Sequence, residues 1–302
     1  MPSNLLRRHL YFLLFVLGIF LILWEPLGSL INFSLTHDYA SHIILVAPIS
    51  AYLIYLRRQT VFSKARADFL TGSGLLLPGA ILGGAAHFYS RAPGDYLSVE
   101  ILALIVLWIA GFALCYGTDA LRAACFPLLF LMLMIPIPDF LIDNVIFFLQ
   151  TGSAAVSYWL FRILNVPVFK EGFVFILPTL NIEVAKECSG IRSSMALLIT
   201  TLLAGEFVLR SGWRKSLLVL SAVPILIFKN GLRIVTISLL SIYVDPRFLH
   251  GWLHTSGGVV FYVLALLSLF PIILLLKRGE AENIRSAEGQ VAHPLAETGR
   301  CL

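Results

Sequence analysis

The sequence predicts an all-α polytopic membrane protein: about eight transmembrane helices, an interfacial helix on the outer face and a short β-hairpin. Three observations carry this. The chain of 302 residues is 59% hydrophobic and 13% charged, with a mean hydropathy of +0.89; soluble domains average about 45–50% apolar and about 25% charged residues. Its apolar residues gather in runs of membrane-spanning length, about 17–25 residues. Its basic residues gather in short clusters between those runs. A soluble core cannot absorb so much apolar material, because a chain of this size must also cover its own surface. The net charge of +5 and pI near 9.1 therefore read as an orientation signal, and no nucleic-acid partner is expected.

The spans fall near residues 8–24, 40–56, 69–89, 98–115, 119–136, 189–209, 215–242 and 255–276. The first follows Arg7 and Arg8 as a signal peptide would, but it runs into Glu25-Pro26 without a small-x-small cleavage site. It reads as an uncleaved signal-anchor. Basic clusters at Arg7/Arg8, Arg57/Arg58/Lys64/Arg66, Arg210/Arg214/Lys215 and Lys277/Arg278 mark the cytoplasmic side, because Lys and Arg in short loops stay there during insertion. With eight spans all four clusters alternate correctly.

That parity bears on the middle of the chain. Counted from either terminus, both Pro136-Ile137-Pro138-Asp139 and Cys188 fall outside, so residues 140–165 should not cross as one helix. Asp143, Asn144, Gln150 and Ser153 interrupt this stretch, which suits an amphipathic helix in the interface or a re-entrant pair; a simple span is the alternative. Next, Phe173-Val174-Phe175-Ile176-Leu177, a turn at Pro178-Thr179-Leu180-Asn181, and Ile182-Glu183-Val184-Ala185-Lys186 read as a β-hairpin. It delivers Cys188 to the start of the next helix. Residues 1–278 form one transmembrane domain, and residues 279–302 a polar cytoplasmic tail expected to be disordered.

Four cysteines show no CxxC or metal-ligand spacing, and neither a metal nor another cofactor is expected. Cys115, Cys125 and Cys301 read as small buried or incidental residues. Cys188 differs, because a polar stretch there gives way to an apolar helix. With Ser189 as N-cap, the thiol lies beside free backbone N–H groups and the positive end of the helix dipole. Arg192 would add to that field, and both favour thiolate. The same N–H groups can stabilise an oxyanion; an inert buried cysteine is the alternative. Arg233 lies about 18 residues beyond Lys215, a climb of about 27 Å that brings it close to the outer boundary. A cation at membrane depth is a functional hypothesis unless it snorkels outward. Few other intramembrane charges are apparent. Asn230, three residues earlier on the same face, could bond the guanidinium or a substrate backbone. His254 opens the last span at the same boundary, with His250 as a competitor. A thiol, a guanidinium and an imidazole thus converge on one leaflet.

The same residues resemble the signature motifs of a known family. Glu187-Cys188-Ser189-Gly190-Ile191-Arg192-Ser193, then Asn230-Gly231-Leu232-Arg233, then His254-Thr255-Ser256-Gly257-Gly258 with Phe261 look like those of exosortases, over about residues 10–278. The resemblance implies a membrane-embedded cysteine transpeptidase or protease, with Cys188 as nucleophile and Arg233 and His254 as its partners. It implies the cytoplasmic (inner) membrane, with the site facing the periplasm or exterior. Its substrates would be secreted proteins bearing a Pro-containing motif, a transmembrane helix and a basic end. Membrane lipid and an acceptor of unassigned chemistry complete the implied partners. The competing class is a multi-pass transporter or flippase without covalent chemistry; a lipid acyltransferase is a third.

Overall fold

The computed structural model describes residues 3–88, 93–186, 190–249 and 258–292. The helices named below are α1 (Ser3–Ile22), α2 (Trp24–Thr36), α3 (Ile43–Leu56), α4 (Arg58–Val61), α5 (Phe69–Phe88), α6 (Pro93–Ala123), α7 (Cys125–Phe130), α8 (Asp139–Ile163), α9 (Ile191–Val208), α10 (Gly212–Tyr243) and α11 (Gly258–Ala292). Eight stretches have the length and composition to cross a membrane: Leu5–Ile22, Asp38–Leu56, Phe69–Ala86, Tyr96–Ala123, Asp139–Ile163, Ile191–Val208, Gly212–Tyr243 and Gly258–Asn283. The chain is a multi-pass membrane protein. Large exposed apolar side chains such as Leu70, Leu21 and Ile22 need no water-soluble partner in that setting, since lipid tails solvate them.

The number of spans is as expected, but the set differs in the middle. The expected spans at 98–115 and 119–136 form one bent element. α6 breaks at Gly117, whose φ of 85° and ψ of 177° are not helical; a Cβ there would sit 2.2 Å from the Arg66 carbonyl oxygen, so the turn needs glycine. Arg66 N–H donates to the Tyr116 carbonyl just before the break (3.1 Å). Beyond it the chain returns through α7 and a 3-10 turn, Leu131–Met134. The Ser98 hydroxyl then donates to the Pro136 carbonyl at 2.7 Å, so 38 residues later the chain is back at the start of α6. The same return runs antiparallel to α3: Ser50 donates to the Pro127 carbonyl and His42 Nε2 meets that of Leu133.

The expected interfacial helix at 140–165 is α8, a continuous helix of 25 residues whose length and composition are also those of a span. Of the four polar residues that argued against a span, Asp143 and Asn144 near the start of α8 are exposed, and the other two are turned inward. Gln150 and Ser153 are buried and bonded to the Val184 carbonyl and the Asn230 amide, so they expose little polarity to the surroundings.

The chain divides into two compact units, Met1–Asp143 and Asn144–Leu302. The first contains α1 to α7. Arg8 Nη1 donates to the Cys115 carbonyl at 2.7 Å, beside an aromatic cluster of Phe12, Phe62, Trp108, Phe112 and Tyr116. Arg8 and Arg66 therefore meet at one end of this unit.

The second unit holds the candidate residues. α8 ends in a Schellman motif: Val166 N–H bonds the Phe161 carbonyl and Asn165 N–H that of Arg162, with Asn165 at φ 55°. Val166 and Phe161 share one buried cluster, the apolar contact that accompanies this cap. Three antiparallel strands follow, β1 (Phe169–Glu171), β2 (Val174–Ile176) and β3 (Asn181–Glu183), so the expected hairpin is present with a third strand before it. Phe169 pairs Ile176, and Phe175 pairs Ile182. The tight turn at Gly172-Phe173, with Gly172 at φ 57°, was not anticipated. Phe175 is buried against Phe161, ring centroids 5.6 Å apart, within a cluster that includes Val235 of α10.

α9, α10 and α11 pack as a three-helix group around Leu197, Leu218, Ala222, Ala265 and Leu269. Polar ties fix their directions. At one end Lys215 Nζ meets Glu206 Oε2 at 2.6 Å, and the Glu280 carboxylate accepts the N–H groups of Arg210 and Ser211 (3.0 and 2.6 Å). At the other end Lys229 Nζ donates to Ser193 Oγ. α10 thus runs antiparallel to α9 and α11, and the N-terminal ends of those two lie toward its second half. α11 does not stop at the expected boundary near 278. It continues to Ala292, because Glu280 is anchored to the neighbouring turn. Residues 293–302 of the expected tail lie outside the described residues.

Candidate active site

The site is built where α9 begins. The expected N-cap, Ser189, lies outside the described residues; the residue at the cap position is Gly190, left-handed at φ 76° with no side-chain cap bond. Its carbonyl accepts the Ser194 N–H and the hydroxyls of Ser193 and Ser194, each at 2.9 Å. Gly190 is buried against α10: a Cβ there would come 3.0 Å from Asn230 Oδ1. The start of α9 is therefore locked twice, by its own serines and by Asn230.

Asn230 is 2% exposed and its Nδ2 donates to Ser153 Oγ of α8 at 3.0 Å. Its amide stands between α8 and the head of α9, a positioning role. Neighbouring Gly231 lets α8 approach closely, since a Cβ on it would lie 2.6 Å from Val156 Cγ1. Ser157 Oγ reaches the Gly231 carbonyl (3.2 Å) and its own helix at Ser153 (2.8 Å).

Arg233 follows one turn after Asn230 and is half-buried. Arg192 is exposed in the first turn of α9. Cys188 and His254, with the competitor His250, lie outside the described residues. What the structure brings together among the rest is the head of α9, with Ser193 and Ser194, against the Lys229-to-Arg233 turn of α10.

Lys229 is the residue that sequence reasoning missed. It is 5% exposed inside α10, with Nζ 2.5 Å from Ser193 Oγ, and it stands four residues before Arg233. The expectation of few intramembrane charges apart from Arg233 is corrected by it. The signal was present as a lysine deep in an apolar helix, one turn from another cation. Among the described residues, no group of three His, Cys, Asp or Glu side chains is placed to hold a metal ion. Cys115 and Cys125 are free thiols, both in the first unit.

The model of one protein family, transmembrane exosortase, matches residues 30–271, most of the chain and every candidate residue. The chain belongs to the transmembrane exosortase family. No curated protein matches it, and no solved structure does. Membership implies a membrane sorting protease, in a family that is generally of cysteine proteases, and PEP-CTERM proteins as substrates. It sets aside the transporter and the lipid acyltransferase.

Proposed function

We propose that this exosortase cleaves C-terminal sorting signals at the outer face of the cytoplasmic membrane through a thioacyl intermediate on Cys188. The single observation that carries the reading is the docking of the head of α9 on α10, one turn from Arg233. Cys188 precedes Gly190 by two residues, and two residues span at most about 7 Å. His254 precedes Gly258 by four, at most about 14 Å, and α11 starts toward the same end of the three-helix group.

In this mechanism the Cys188 thiolate attacks the scissile carbonyl carbon and the C–N bond breaks. His254 as imidazolium gives its proton to the leaving amine. The first N–H groups of α9, which have no partner within the helix, and the Arg233 guanidinium hold the oxyanion. The acceptor's nucleophile then attacks the thioester carbonyl, passes its proton to His254 and releases the thiolate. A tail helix anchored in the same leaflet raises the local concentration of the scissile peptide and lowers the orientational cost of encounter.

The outward orientation rests on the basic clusters. With the 118–136 segment crossing back, all four clusters stay on one side if α8 lies along the interface rather than adding a pass. That arrangement puts Cys188 outside.

Cys188→Ala tests the assignment: it should abolish processing of a tail-anchored reporter while the protein still inserts. An impermeant thiol reagent applied to spheroplasts should label Cys188 in the parent. Normal processing by the variant would remove the nucleophile, and labelling only after the cytoplasmic side is opened would reverse the topology.

A further inference from the structure

The three-stranded sheet that precedes α9 has an open edge. The bonds from Leu177 N–H to the Leu180 carbonyl (3.0 Å) and from Val184 N–H to the Phe173 carbonyl (2.9 Å) fix the phase of the β2–β3 ladder. Bonded and non-bonded pairs alternate in an antiparallel ladder, so Leu180, Ile182 and Val184 turn their main-chain groups toward β2. Asn181 and Glu183 lie between them, opposite Ile176 and Val174, and turn N–H and C=O the other way. Those groups have no hydrogen-bond partner among the described residues, and both residues are exposed. The strand itself is held firmly. Ile182 packs on the buried cluster of Phe175 and Val184, and Gln150 of α8 donates to the Val184 carbonyl. On the opposite edge the same phase turns only Lys170 of β1 outward.

An open strand edge is a template for another strand, and an extended peptide offers N–H and C=O at the same two-residue repeat. β3 is also the strand that runs on toward the nucleophile. Glu183 precedes Cys188 by five residues, at most about 18 Å, and an extended peptide rising about 3.3 Å per residue crosses that distance in about five residues. We infer that the β3 edge receives the stretch of the sorting signal beside its cleaved bond as a fourth strand, bonded main chain to main chain at Asn181 and Glu183. The inference rests on the function proposed above, because it takes the occupant to be the peptide presented to Cys188. A second copy of this chain fits less well: its strand would stand beside the nucleophile in every resting molecule. One consequence is positional. Every second substrate residue must turn its N–H toward β3, and the residues between face away, so proline is admitted only at alternate positions.

The test uses the full chain in phosphatidylcholine vesicles and synthetic tail-anchored signals, N-methylated at one residue at a time within about six residues of the cleaved bond. Cleavage is read in the parent and binding in a Cys188→Ala background. Methylation should weaken both about fivefold or more at two positions two apart, and change them less than about twofold at the residue between. Glu183→Pro deletes one outward N–H while Ile182 and Val184 keep their bonds to β2, an edge position where proline is tolerated. It should weaken binding about tenfold, whereas Glu183→Ala, which keeps the N–H, and Lys170→Pro on the other edge should stay within about twofold of the parent. If Glu183→Pro does not fold, the methylation series on the unaltered strand still decides. A series without the two-residue alternation, or a folded Glu183→Pro protein that binds as the parent does, overturns the inference. So does a parent dimer that Glu183→Pro splits into monomers, which would give the edge to a second copy. Cleavage that persists in Cys188→Ala counts against the nucleophile instead, while the binding series needs no thiol, so the two failures are distinguishable.

Discussion

Gly190→Ala concentrates the structural argument in one methyl group. Two terms act against it. At φ 76° an L-residue with a Cβ loses about 1–2 kcal/mol relative to glycine. The new Cβ would also sit 3.0 Å from Asn230 Oδ1 and 3.2 Å from its Cγ. The amide cannot swing away cheaply, because its Nδ2 is bonded to Ser153; overpacking of this kind costs about 1–3 kcal/mol. The sum is a destabilisation of about 2–5 kcal/mol, measured by unfolding in mixed micelles. Asn230→Ala separates the terms. In that background the contact is gone and only the backbone cost, about 1–2 kcal/mol, should remain, giving a coupling of about 1–3 kcal/mol in a double-mutant cycle. Reporter cleavage should fall further than stability alone explains, on the order of tenfold or more. The head of α9 must shift by a few tenths of an ångström, and about 1 Å of misplacement can cost about 10²-fold. Equal stability of Gly190→Ala and parent, or a coupling near zero, would show that α9 is not seated on Asn230 and would remove the geometric basis of the site.

Three further outcomes are expected. Gly231→Val should destabilise by about 1–3 kcal/mol through its collision with Val156, and Val156→Ala should recover part of this in the same assay; no recovery would place the strain elsewhere. Arg233→Lys should lose most reporter cleavage, because an ammonium cannot reproduce the fork of guanidinium donors; full activity would leave Arg233 a charge-only role. Asp68 lies outside the spans at the head of α5, where the Thr71 N–H and hydroxyl (3.0 and 2.9 Å) hold its carboxyl below the usual carboxylate range. A folded pKa below the unfolded one contributes stability that is present above the unfolded value, about 3.9, and lost as pH falls through the folded one. The melting difference between parent and Asp68→Ala should therefore be present at neutral pH and narrow in acid below about pH 4; a constant difference would leave Asp68 a role independent of its charge.

Much of this was legible along the chain. Composition and run length determine that the protein lives in a bilayer, since no folding of 59% hydrophobic residues could hide them from water. The motif residues determine the family, because three short polar motifs in apolar surroundings are a specific pattern. The strands at 174–176 and 181–183 were legible from local alternation. What tertiary structure decided is where each polar side chain goes. Gln150 and Ser153 read as water-seeking along the sequence, yet both bond to protein groups inside the second unit, so α8 is a longer apolar element than its composition suggests. The break between the apolar runs at 98–115 and 119–136 was legible, but that the turn must be a glycine is decided only by the Arg66 carbonyl that approaches Gly117. Lys229 gains meaning from Ser193, 36 residues away, and no local pattern marks that pair. Periodicity and composition report the average surroundings of a segment. A hydrogen bond between distant residues depends on which two faces the packed helices turn toward each other, and that is settled only when the chain is folded.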